Sequence, residues 1–202
     1  MTPKEIENKI LMAKKVIEKE VTDVLPRKVG VAAVNHFNQN FRDGGFHDGV
    51  FRQWKRSLRQ DDSFNKNRKY KTLYSREPNL ARGIEFKPGY GEVTITNPVP
   101  YAAIHNEGGT VTTHPTISQK MRKMAWARAY SIAGVKKGDK LPKELPEEAK
   151  KWKALALTKK SQLNITANIP KRQFIGDSAE LRQKVEKIIT DSITAIRSRL
   201  PK

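Results

Sequence analysis

Tyr101-Ala102-Ala103-Ile104-His105-Asn106-Glu107-Gly108-Gly109 divides two alternating runs from a strongly basic second half, and the fold turns on how it is read. Upstream, Gly83-Ile84-Glu85-Phe86-Lys87 and Glu92-Val93-Thr94-Ile95-Thr96 alternate with period two, the pattern of strands with one buried face. Pro88-Gly89-Tyr90-Gly91 between them is turn chemistry, so the pair reads as a hairpin. Asn97-Pro98-Val99-Pro100 cannot continue a central strand, because each proline lacks an N–H and pushes its predecessor into an extended conformation. The chain therefore leaves the sheet there. Tyr101 to Ile104 fit one apolar turn laid on the sheet as part of the core, and Gly108-Gly109 permits a reversal that side chains would block. Thr110-Val111-Thr112-Thr113 reads as a further short edge strand.

Working outward, Thr2 with Glu5 fits a capping box and Pro3 a first helical position. Ile6, Ile10, Ala13, Ile17, Val21 and Val24 then recur at helical spacing, with Pro26 breaking or kinking the helix. Val29, Ala32, Ala33, His36, Phe37 and Phe41 mark a second helix, on which His36 reads as a core or boundary histidine rather than a ligand. Residues 42–60 hold Gly44, Gly45, Gly49, Phe51 and Trp54 and read as a loop; Trp54 fits an anchor on the core better than a lone base-stacking platform. Residues 61–78 read as an exposed polar loop. Thr116 or Ser118 caps a helix through Met121, Met124 and Ile132 that ends near Gly134. Leu163 to Ile169 alternates as a strand closed by Pro170. A last helix starts at Asp177 or Ser178 and buries Leu181, Val185, Ile188, Ile189, Ser192, Ile193 and Ile196.

These elements predict an α+β fold: a small, mostly antiparallel sheet of about four strands packed against long N- and C-terminal helices. One domain is expected over residues 1–202, with an N-terminal helical segment, 1–42, and a basic insertion, 134–160.

Tyr101 to Gly109, with Tyr101, Ile104, His105, Gly108 and Gly109 in place, resembles the Tyr-Ala-x-Ile-His-x-x-Gly-Gly segment of the phage virion morphogenesis proteins. Later, Ile169-Pro170-Lys171-Arg172-Gln173-Phe174-Ile175-Gly176 stands where that family carries a segment like Ile-Pro-Ala-Arg-Pro-Phe-Leu-Gly before a closing helix. Gly49 to Trp54 and Leu80 to Ile84 echo two further family segments, although Gly83 replaces the usual serine and Gln173 the second proline. The resemblance implies a tail-completion or head–tail joining protein of a virion. It also implies a homo-oligomeric ring, a hexamer in that family, contacting portal and tail proteins at the head–tail junction. Both motifs then serve as fold determinants.

Composition fits an assembling subunit: 37% apolar residues and a mean hydropathy of −0.70 leave solvated segments or surfaces covered only on assembly. The chain has no cysteine, which excludes disulfides and thiolate metal sites. No run approaches transmembrane length and no signal-type segment opens the sequence, so assembly in the host cytoplasm without a membrane is expected. Lys and Arg number 40 against 21 Asp and Glu, a net charge of +19, and between His114 and Arg172 fifteen basic residues face four acidic ones. That region, with Lys120, Arg122, Lys123, Arg128, Lys136 and Lys137, could meet passing genomic DNA or an acidic partner surface. A basic nucleic-acid-binding protein acting during packaging or ejection is the alternative reading.

Catalysis has no support in sequence. No nucleophile elbow, Cys–His pair or paired-carboxylate motif is present, and the four histidines, His36, His47, His105 and His114, lie in different segments. His105 and His114 could meet across the Gly-Gly turn, but Glu107 is the sole nearby third ligand. No enzyme activity, metal or cofactor is expected.

Overall fold

Local capping rules build the N-terminal helices. In the computed structural model, which describes residues 2–61, 70–136 and 138–200, α1 (Pro3–Lys19) opens with Thr2 Oγ1 accepting from the Glu5 N–H at 3.3 Å and the Glu5 carboxylate accepting from the Thr2 N–H at 2.7 Å. Pro26 does not break the helix. Instead, Glu20–Val24 widens into a π turn, the Leu25 N–H reaches back to the Glu20 carbonyl, and α2 (Leu25–Asp43) continues with Pro26 in its first turn. The wide turn absorbs the missing proline donor.

β1 (Gly45–Asp48) and β2 (Val50–Gln53) pair antiparallel where the sequence reads as a loop, with Asp48 opposite Val50 around Gly49. Trp54, directly after this hairpin, is 6% exposed and its indole N–H donates to the Gln173 carbonyl at 2.8 Å, so it is an anchor as expected. The short helices α3 (Leu58–Asp61) and α4 (Asn79–Arg82) follow, and the loop expected over residues 61–78 lies largely outside the described residues. β3 (Glu85–Pro88) and β4 (Val93–Thr96) form the expected hairpin, with Phe86 opposite Ile95. At Gly83, before β3, a Cβ would come within 2.9 Å of Asn79 O, Asn97 Oδ1 and Val99 Cγ2. The tight packing there fits the absence of a side chain. α5 (Ala102–Glu107) occupies the decisive stretch, and Gly108 (φ +77°) and Gly109 (φ +139°) make the reversal.

These elements and α8 (Ala179–Arg199), capped by the Ser178 hydroxyl, form one compact unit from Met1–Gly108 and Pro170–Lys202. Its core gathers Phe37, Phe41, Phe46, Trp54, Leu80 and Phe174, with the Phe41 ring 5.4 Å from Trp54 edge-on and 5.0 Å from Phe174. The second unit, Gly109–Ile169, holds β5 (Gly109–Thr113), α6 (Gln119–Ile132), α7 (Glu147–Leu157) and β6 (Ile165–Ile169). β5 and β6 run antiparallel, Gly109 opposite Ile169. Buried Ala125, Ala129, Ala149 and Ala156 let α6 and α7 approach closely.

The α+β class thus holds, but the expected single sheet of about four strands does not form. Six strands lie in three separate two-stranded antiparallel sheets among the described residues. The partner of β5 is β6, in the second unit, and β1 closes on β2, so neither ribbon extends the β3–β4 ladder. The second unit holds the flanking ribbon and both helices together with the stretch expected as a basic insertion, 134–160.

α2 packs on β3 through Gly30, where an added Cβ would stand 2.3 Å from the Phe86 ring. Gly30→Val should therefore lower unfolding stability by about 1–3 kcal/mol, the range for overpacking, as read from the urea midpoint.

Candidate functional site

The two segments that carry the family resemblance meet in the first unit. Asn106 Oδ1, on α5, accepts from the Phe174 N–H at 2.9 Å and the Ile175 N–H at 3.0 Å. The Arg172 N–H donates to the His105 carbonyl at 2.9 Å, and Lys171 Nζ lies 3.8 Å from the Glu107 carboxylate. From the other side Asn40, fully buried on α2, donates its amide to the Phe174 carbonyl at 3.2 Å and accepts from the His47 N–H at 3.2 Å. Ser178 Oγ donates to the His47 carbonyl at 2.7 Å. Residues 170–178 form no strand, so side chains and neighbouring carbonyls satisfy this return segment in place of a ladder.

Within this junction Phe174 is core, Gly176 and Pro170 are half-buried, and Tyr101 is 44% exposed. Ile104 is half-buried too; the fully buried member of the turn is Ala102 rather than Ile104. Gly108 ends α5, and Gly109 and Ile169 pair at the open end of the β5–β6 ribbon. Asn40 and Asn106 are the residues that sequence reasoning passed over. Asn40 could have been found as the one amide on the apolar face of Ala33, Phe37 and Phe41.

His36 is a core histidine, 3% exposed, with Nδ1 3.5 Å from Lys184 Nζ and its ring edge-on to Phe37. Burial, then Lys184, lowers its pKa, opposed by Glu180; burial, then Arg172, lowers that of His105. His47 bonds Asp43 at 2.7 Å through one ring nitrogen and faces Glu180 at 3.7 Å through the other. His105 and His114 fall in different units. Among the described residues no group of three or more His, Cys, Asp or Glu could hold a metal ion, and no helix is long and apolar enough to cross a membrane.

In the second unit, Lys120, Lys123 and Lys136 are exposed, whereas Lys137 lies outside the described residues. Arg122 is engaged internally: its guanidinium donates to the carbonyls of Ala156 at 3.2 Å, Thr158, and Lys160 at 3.3 Å, closing the C-terminal end of α7. Arg128 stacks over Trp152 at 4.6 Å. Two of the six basic side chains expected as contacts, Arg122 and Arg128, thus hold their own unit together.

The first unit leaves apolar helix surface open. No α1 residue is buried, and Ile6, Ile10, Leu11, Met12, Ile17 and Val21 are between 42% and 63% exposed. An open groove of about 830 Å³ runs along Ile10, Ala13, Ile17 and Val21 to Tyr90. α8 was expected to bury a full apolar face, yet among its residues Ser192 alone is buried, with Ile189 at 38% and Ile193 at 46% exposure. Too little of the unit covers that face. The helix junction itself is fixed by Glu20, 2% exposed, which pairs with Lys28 at 2.8 Å and Arg199 at 3.3 Å.

The model of the phage virion morphogenesis family matches residues 6–194 of the chain. No curated protein and no solved structure shows significant similarity to it.

Two outcomes test this description. Asn106→Ala leaves the Phe174 and Ile175 N–H groups without their acceptor and should cost about 1–3 kcal/mol, whereas Asn106→Asp keeps the acceptor and should cost less, both read by urea denaturation. Because both His36 and His105 titrate below the ordinary 6.5, the unfolded chain binds more protons there, so stability should be full above that pH and fall as pH drops below it. His36→Leu should flatten that limb in thermal melts between neutral and mildly acid pH.

Proposed function

The chain belongs to the phage virion morphogenesis family, and from that premise we propose that it is a structural ring subunit of the neck or tail end, joining the portal side of the head to the tail. The observation that carries this reading is the uncovered apolar stripe of α1, on a unit that also leaves the face of α8 open. Fully burying such side chains contributes roughly 1.5–3 kcal/mol apiece, and half of that is what a half-exposed residue still holds in reserve. The four that share one face, Ile6, Ile10, Ile17 and Val21, together reach only the lower end of the ~4–15 kcal/mol cost of association. One such interface is therefore marginal, while ring closure adds an interface without immobilising a further subunit. A hexamer is the copy number the family resemblance suggests. The role is structural, without catalysis or cofactor, and the site of action is the head–tail junction of the virion.

The regional charge supports a second reading. The excess of basic residues between His114 and Arg172, with Lys120, Lys123 and Lys136 in solvent, suits contact with DNA phosphates without sequence readout.

Light scattering of the purified protein at low and high salt, with and without duplex DNA, separates the two. The ring reading expects a closed oligomer that survives high salt, and Ile10→Glu with Ile17→Glu should convert it to monomer with helical content unchanged. A wild-type chain that is monomeric without DNA, and that gains mass on DNA only at low salt, would overturn the ring in favour of nucleic-acid binding.

A further inference from the structure

The first unit holds a cavity of about 310 Å³ that the assembly reading does not use, with Leu73, Leu80, Tyr101, His105 and Arg172 in its wall and Glu77 among its lining. A water molecule's share of liquid volume is about 30 Å³, so the space suits a small organic group. Arg172 is 7% exposed and carries its charge into this wall. Its Nε donates to the Lys55 carbonyl at 2.9 Å and its Nη2 to the Arg56 carbonyl at 3.4 Å; Nη1 has no hydrogen bond among the described residues. Carbonyls orient the guanidinium but bring no opposite charge. No carboxylate among the described residues pairs with it, and burial alone lowers its pKa. A buried cation in this condition is costly unless an anion reaches it.

The rest of the wall decides which anion. The ring of His105 lines the same cavity, its Nδ1 is buried without a hydrogen-bond partner, and burial with Arg172 beside it lowers its pKa and so favours the neutral ring. Arg172 is then the one cation in the lining among the described residues, and Glu77 is an exposed acid. That balance suits a single negative charge and disfavours a phosphate dianion. Leu73, Leu80 and the Tyr101 ring offer apolar surface to a short carbon chain. We propose that this cavity binds a carboxylate, seated on the free edge of the Arg172 guanidinium with its carbon chain against Leu73, Leu80 and Tyr101. The proposal does not depend on the ring reading.

The Arg172 Nε–H, fixed on the Lys55 carbonyl, supplies the readout by nitrogen–proton NMR of the whole chain. Propionate should shift that signal saturably, with a dissociation constant on the order of 1 mM, and neutral propionamide should not. Glu77→Gln, an exposed change that leaves the clamp intact, should tighten propionate binding about two- to fivefold, the size of one exposed charge interaction. Arg172→Gln should abolish binding, but it also removes the clamp on Lys55 and Arg56, so Glu77→Gln is the decisive variant. A short peptide with a free C-terminal carboxylate, compared with its amidated form, tells a chain terminus from a free acid as the source. No shift with propionate, an equal shift with propionamide, or no change in affinity in Glu77→Gln would overturn the proposal and leave Arg172 as a clamp capped by water. Tighter binding of inorganic phosphate than of propionate would overturn the carboxylate assignment.

Discussion

Everything in the first unit leans on how residues 170–178 satisfy their backbone without a strand partner. Asn106 supplies one acceptor to two N–H groups, and Asn40 bridges the Phe174 carbonyl and the His47 N–H from inside the core. With those bonds made, Phe174 can enter beside Phe41, and Trp54 can close on the Gln173 carbonyl. An apolar core would otherwise have to contain stranded peptide groups, each costing about 1–3 kcal/mol. This requirement explains why both sequence motifs of the family resemblance lie together: one carries the acceptor and the other the donors.

The consequence for energetics is a division of labour between helices. α2 has its buried face filled by aromatic residues and the β3–β4 hairpin, whereas α1 has no buried residue at all. Isolated helices of this length are marginal in water, so α1 draws its persistence from its capping box, its continuity with α2 and the Glu20 ion pairs at its base. Glu20 keeps its charge because Lys28, and then Ser192, Lys28 and Arg199 as fixed donors and charges, outweigh its burial and hold its pKa below the ordinary glutamate value. Anchored at one end and apolar along its length, α1 is built for a neighbour rather than for its own core.

Local features of the fold were legible in the sequence, and features set by distant partners were not. The Thr2–Glu5 capping box and the β3–β4 alternation each involve residues a few positions apart and appear in the structure as read, and of the two cap candidates at α6 and at α8 it is Ser118 and Ser178 that cap. β1–β2 was hidden by Gly44, Gly45 and Gly49, which look like loop composition but serve the cap and the turn of a hairpin. α7 was hidden by the charges around it, although Pro146 followed by Glu147 and Glu148 is a helix start. The strand partners, and the open face of α8, depend on which segments meet after folding. At the junction, the family resemblance picked out the segment of Phe174 and glycine chemistry the Gly108–Gly109 reversal, but nothing local shows that Asn106 must feed two amides some seventy positions away.

The π turn at Glu20–Val24 bears on how such a subunit adapts to its surroundings. A wide turn accommodates an additional residue, and one residue corresponds to about 100° of rotation around a helix axis. The stripe of Ile10, Ile17 and Val21 and the inner face of Gly30, Ala33 and Phe37 are therefore set in phase by this one turn rather than by the length of either helix. A single-residue insertion or loss there re-aims the outer stripe while the inner face stays in register, so the direction of docking can evolve without disturbing the fold that carries it.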